Sequence, residues 1–120
     1  MKALELGFFA IPTPDLVTAK TFYQAVMGWE FKDRDSNFSY IFANGNMIGS
    51  LERATKTFMP SKNGPLLFFR AEFMQKTLDR VTTAGGVLIE KVAIENGARG
   101  YTAKAQDPSE NAIAFWAPED

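Results

Sequence analysis

Asp15-Leu16-Val17-Thr18-Ala19-Lys20-Thr21-Phe22-Tyr23-Gln24-Ala25-Val26-Met27-Gly28-Trp29-Glu30-Phe31-Lys32 spells out a capped helix that runs straight into a strand. Asp15 suits a helix start, and Leu16, Ala19, Tyr23, Val26 and Met27 then recur at helical spacing. Gly28 is the predicted C-cap, because it enters the left-handed region without a Cβ penalty. Trp29 to Lys32 alternates as a half-buried strand does.

Before this stretch, Glu5 to Ile11 is an apolar and aromatic strand-like run closed by Pro12-Thr13-Pro14. The two prolines forbid a central strand there and force an extended turn. After it, Asp33 to Asn37 carries turn chemistry and Phe38 to Phe42 reads as another strand. Asn44-Gly45 is a hairpin signal, since both residues tolerate φ > 0, and it leads into a strand from Met47 to Leu51. From Arg53 to Pro65 the pattern is lost, which marks a connector.

The second half repeats the order of the first. Leu66 to Ala71 is a strand, and Phe73 to Ala84 a helix with Met74, Thr77, Leu78 and Val81 on one face. Gly85-Gly86 ends that helix, and Val87 to Val92 alternates as a strand. The loop Glu95 to Gly100 contains two glycines but matches no P-loop or dinucleotide fingerprint. Tyr101 to Ala105 and Asn111 to Trp116 are the last strands. The predicted class is therefore α+β, a single domain over 1–120 made of two tandem βαβββ modules. Module 1 covers about 1–53, the connector 54–65, and module 2 about 66–120. One βαβββ unit leaves a sheet face bare, whereas two copies side by side can curl around a shared cleft.

An ordered set of short motifs runs the whole length. It comprises Asp15-Leu16, Phe22-Tyr23, Gly28-Trp29-Glu30-Phe31, Ala84-Gly85-Gly86, and Asp107-Pro108 with Asn111. The set resembles the vicinal oxygen chelate superfamily of glyoxalases, bleomycin-resistance proteins and dioxygenases, and most closely its small bacterial glyoxalase-related proteins. The resemblance implies a half-open, cup-shaped barrel, commonly dimeric. In metal-dependent members, four His, Gln or Glu ligands project into the cup from the first and last strand of each module. Carried onto this chain, those positions fall at Phe8, near Ser50 or Glu52, near Leu66, and at Ala114. The family pattern also has Gly where this chain has Glu110, which implies a reshaped or strained turn.

The chain has no histidine and no cysteine. Zinc and soft-metal sites, cysteine nucleophiles and the Ser-His-Asp triad are thereby excluded. A metal would need carboxylate, carbonyl and water ligands, which suit magnesium, calcium or manganese. Phe8, Leu66 and Ala114 have no electron pair to donate, and Glu52 alone cannot hold a catalytic ion, so no metal and no cofactor are expected. If Phe8 faces the cup, strand alternation points Ala10 and Pro12 inward as well. Leu66 and Ala114 would extend an apolar floor, with Tyr40, Glu52, Arg70, Tyr101, Lys104 and Trp116 as walls. Arg70 could clamp a carboxylate or phosphate with its guanidinium fork. The competing structural reading has Phe8 and Leu66 plugging the cup, Arg70 reaching solvent at a strand end or paired with Glu72, and both tryptophans in the core or a dimer interface. Glu30 and Glu52 are a candidate acid–base pair only if they meet.

Composition narrows the function further. Apolar residues make up 46% and charged residues 22%, the balance of an ordinary globular domain. A net charge of −1 gives no electrostatic reason for a nucleic-acid or membrane partner. No apolar run approaches the roughly 20 residues that span a bilayer, and Met1 to Leu6 lacks a signal-type segment, so a cytoplasmic location is expected. The leading expectation is a homodimeric, metal-free glyoxalase-like or bleomycin-resistance-like protein that binds a small, partly apolar or aromatic molecule in the cup. The runner-up is a lyase or isomerase with a carboxylate-bound divalent metal, and the third reading is a protein-interaction module with a filled cup.

Overall fold

The computed structural model describes residues 1–120. Asp15 opens the first helix: Oδ1 accepts from the Thr18 N–H at 3.1 Å and Oδ2 from the Thr18 hydroxyl at 2.8 Å. Helix α1 (Leu16–Met27) ends where Gly28 takes φ 70° and its N–H donates to Gln24 O. Around it stand β1 (Phe9–Thr13), β2 (Glu30–Asp35), β3 (Phe38–Ala43) and β4 (Asn46–Arg53). The second module contains β5 (Phe68–Arg70), α2 (Met74–Thr83), β6 (Val87–Ala93), β7 (Tyr101–Gln106) and β8 (Ala112–Ala117).

The two sheets have the same wiring, β1-β4-β3-β2 and β5-β8-β7-β6. In each, the first strand pairs parallel to the last, and the remaining pairs are antiparallel. The repeat read from the pattern is thus a repeat of structure. Neither sheet closes on itself. Their first strands meet instead, with the Phe9 and Phe69 rings 5.6 Å apart and Trp29 5.3 Å from Phe69, giving a half-open cup.

One core serves both modules. Ala19, Phe22, Tyr23 and Val26 of α1, with Met74, Leu78 and Val81 of α2, pack on Ile11, Ile41 and Leu51 of one sheet. They also pack on Ala103, Ala105, Ile113, Phe115 and Ala117 of the other. Residues of the opposite parity line the other, concave face. No helix is long and apolar enough to cross a membrane.

Several boundaries differ from those the sequence predicts. β1 begins at Phe9 rather than Glu5, because its only partner is β4 and the ladder stops at the Phe9–Gly49 pair. There the Phe9 carbonyl lies 2.5 Å from where a Gly49 Cβ would stand, an approach only glycine permits. β5 begins at Phe68 rather than Leu66. The turn before β3 is shorter than predicted, because Asp35 Oδ1 accepts from the Asn37 N–H at 2.8 Å and lets β2 run on to Asp35. Within the Glu95–Gly100 loop, Ile94–Gly97 forms a short helical turn with Glu95 and Asn96 at positive φ.

Candidate functional site

Strand register decides which side chains share the concave face. In the first sheet, Ala10 lies beside Ser50, which pairs with Tyr40; Pro12 lies beside Glu52, which pairs with Phe38. In the second, Phe68, Ala114 and Lys104 form one row, and Arg70, Trp116 and Thr102 the next. Ala10, Tyr40, Glu52, Arg70, Ala114, Trp116 and Lys104 therefore fall on one face, as their alternation requires.

Three other candidates sit differently. Tyr101 pairs with Ala117 while Trp116 pairs with Thr102, so Tyr101 points to the helix side and packs against the core. Phe8 and Leu66 each precede their strand by at least one residue and are held by no ladder. Phe8 is 43% exposed and so does not plug the cup as core.

Local contacts define what the face can do. The Arg34 guanidinium lies 3.9 Å from the Phe38 ring, which meets Tyr40 edge-on at 4.9 Å, an aromatic wall that alternation from Tyr40 would have revealed. Arg70 stacks over Trp116 at 4.9 Å and forms no ion pair with Glu72. The Trp116 Nε1–H donates to Arg99 O at 3.2 Å. Glu52 accepts from the Ser50 hydroxyl at 2.9 Å. Glu30 pairs with Phe42, whereas Glu52 pairs with Phe38. At roughly 3.3 Å per residue the two carboxylates are about 13 Å apart along the strand, too far to act as an acid–base pair.

Two cavities flank the line where β1 meets β5. One, of about 380 Å³, is lined by Leu6, Phe8, Met47, Ile48, Leu67 and Phe68, together with Gly7, Phe9 and Phe69. Its walls are almost wholly apolar, as small-molecule sites commonly are. The other, of about 450 Å³, opens on the helix side between the modules.

A third feature is polar and closed. Tyr23, fully buried, donates its hydroxyl to Asp107 Oδ2 at 2.7 Å. Asp107 also accepts from Asn111 Nδ2 at 2.9 Å and from the N–H groups of Ser109 and Asn111 at 2.8 and 2.9 Å. Asn111 Nδ2 donates on to Pro12 O at 2.8 Å, tying β1 to the β7–β8 turn. Burial, with Asp107 beside it, raises the Tyr23 pKa well above its ordinary value. Every group here is satisfied internally, so the network is a clasp between modules rather than a reaction centre.

The donor set does not fit a divalent metal. Phe8, Leu66 and Ala114 offer no lone pairs, Ser50 and Glu52 are bonded to each other, and no group of three or more carboxylates converges anywhere.

The sequence matches the model of the Glyoxalase/Bleomycin resistance protein/Dioxygenase superfamily over residues 5–115. The chain belongs to this superfamily. Among the curated proteins, none matches. Solved structures with the same fold include a glyoxalase/bleomycin resistance protein/dioxygenase family enzyme from Burkholderia phytofirmans PsJN. It is 21% identical, with a TM-score of 0.74 and coverage of 95% of this chain and 98% of that one. A glyoxalase-related enzyme from Fulvimarina pelagi is 18% identical, with a TM-score of 0.71 and coverage of 95% and 88%. A mutant of the fosfomycin resistance protein FosX from Listeria monocytogenes is 13% identical, with a TM-score of 0.74 and coverage of 97% and 91%. It was crystallised with manganese(II) and 1S,2S-dihydroxypropylphosphonic acid. At these identities the superfamily members share a fold with this chain, and its activity has to be argued from its own residues.

Proposed function

We propose that this superfamily member binds a small, partly apolar or aromatic molecule in its cup, without the metal its relatives can hold. The observation that carries this reading is the cavity of about 380 Å³ at the β1–β5 line. Phe8 there is 43% exposed and Phe68 50%, so two aromatic side chains stand in water with no internal partner covering them. Removing a bound aromatic ring and these walls from water together would supply the binding energy, at about 25 cal/mol per Å² of apolar surface. Met47, Ile48 and Leu67 complete the apolar walls against which such a ring would lie. A filled cup is disfavoured by the same exposure. A carboxylate-metal enzyme is disfavoured by the separation of Glu30 from Glu52.

The protein acts as a homodimer in this proposal. Edge strand β6 exposes Val87, Leu88, Ile89 and Val92 on its two faces, apolar surface beside an unpaired edge that a second copy would cover. Sedimentation velocity should then report two chains per particle, and a monomer at micromolar concentration would contradict it.

The binding claim is tested by titrating neutral aromatic fragments into ¹⁵N-labelled protein in the presence of EDTA. Binders should shift the Phe8, Met47 and Phe68 amides, which line the cavity. Phe8→Ala should weaken them about tenfold, the scale of one lost aromatic contact. Absence of any saturable shift at these amides, or full binding by Phe8→Ala, would contradict the reading.

A further inference from the structure

The two modules are related by an internal repeat, and the repeat is broken at one place. Tyr23 holds a fully buried place on α1, whereas α2 carries the exposed cations Lys76 and Arg80. In the first module that place faces the five-residue β7–β8 turn, whose Asp107 takes the Tyr23 hydroxyl and whose Asn111 reaches Pro12 O. The connector closes this notch from outside, where the Ser61 N–H donates to Asn111 Oδ1 at 3.2 Å.

In the second module the corresponding turn is Asn44-Gly45, between β3 and β4. It is two residues long and brings no carboxylate. The notch is therefore open and forms the cleft of about 450 Å³ on the helix side. Val26, Trp29, Phe69 and Phe115 make its apolar floor, and Lys76 and Arg80 stand at its wall with Arg70. None of the three cations forms a salt bridge, although Glu72 also lines the cleft. Lys76 has only the Phe73 ring, at 5.7 Å, and Arg70 is engaged by Trp116 on the other face. Asn44 adds a neutral amide at the mouth.

We infer that this cleft is a second ligand site, distinct from the concave face, that takes a small organic anion: a carboxylate or phosphate monoester on an aromatic or apolar body. The anion is the acidic partner that neither Lys76 nor Arg80 has within the chain. Its body lies on the Trp29–Phe69 floor. Arginine suits this role because its planar fork meets two oxygens of a carboxylate or phosphate at once. The volume falls within the range of small-molecule sites.

The test uses phenylphosphate as the probe and the two indole N–H signals of ¹⁵N-labelled protein as the readout. Trp29 lines the cleft, whereas Trp116 lies on the concave face. Phenylphosphate should shift the Trp29 signal saturably, phenol should bind at least about tenfold more weakly, and Arg80→Gln should lose about tenfold in affinity. Arg80→Lys, which keeps the charge but not the fork, should fall between wild type and Arg80→Gln. Arg80 is exposed, so these variants should fold as wild type does. The inference is overturned if Trp29 does not move, if Arg80→Gln binds as tightly as wild type, or if phenol binds equally well. A shift confined to Trp116 also overturns it, while leaving the concave-face proposal standing.

Discussion

Tyr23 and Glu110 show how single residues fix this fold. The Tyr23 hydroxyl is spent on a buried carboxylate, so Tyr23→Phe leaves Asp107 with one donor fewer and should cost about 2 kcal/mol in urea unfolding. Because the folded-state pKa of Tyr23 lies well above 10.0, the folded protein holds this proton more tightly than the unfolded chain. Its contribution should be intact below about pH 10 and decline as pH rises beyond that. Tyr23→Phe should show a shallower loss of stability between about pH 10 and 11, and equal slopes would remove Tyr23 as the cause. Glu110 takes φ 71°, where an L-residue costs about 1–2 kcal/mol. Its ion pair with Lys62 at 3.0 Å is more than half exposed on both sides and offsets little. Glu110→Gly should therefore stabilise by about 1 kcal/mol and raise Tm by about 4 °C, whereas a fall would mean the ion pair matters more than the strain. The departure at Glu110 was legible in the sequence as a missing glycine. The clasp was not, since Tyr23 and Asp107 are 84 residues apart and only the fold brings them together.

At the scale of elements, α1, α2, the Asn44-Gly45 turn and the β3, β4, β7 and β8 strands were readable because each carries a local cause. The causes are an N-cap, an apolar period, a turn dipeptide or a left-handed stop. The ends of β1 and β5 were not, because a strand stops where its partner stops, and the Phe9–Gly49 contact is long-range. Tyr101 is a candidate wall of the cup in the sequence reading. Its register to Ala117 places it on the other side, and only the pairing could reveal that. Gly85-Gly86 carries two different constraints. Gly85 takes φ 99° to end α2, whereas a Cβ on Gly86 would stand 2.7 Å from Gln106 O and 2.9 Å from the Phe22 ring. Gly86→Ala should thus cost about 1–3 kcal/mol by forcing α1 and β7 apart, measured by thermal or urea unfolding. A neutral Gly86→Ala would mean that the helix–sheet seam is looser than this contact implies.

Across the whole molecule, two copies of one supersecondary unit share a core on the helix side and leave a concave face on the other. The resemblance to the superfamily implies metal donors on the first and last strand of each module. Here those places carry Phe8, Leu66 and Ala114, none with a lone pair to donate, and the nearby carboxylate of Glu52 accepts from the Ser50 hydroxyl. In the proposed reading, a hydrophobic molecule sits where an ion would otherwise be held. This exchange of an ion for an apolar ligand is what we propose from the residues at these places. It is tested most directly by isothermal titration of manganese(II) and magnesium(II) into the untagged protein, with elemental analysis of the same sample. An affinity tag would supply the imidazoles the chain lacks. The account predicts no saturable heat and less than one-tenth of a metal ion per chain, with Glu52→Gln indistinguishable from wild type. One ion bound per chain, lost in Glu52→Gln, would contradict it and return the protein to the metal-dependent chemistry of its superfamily.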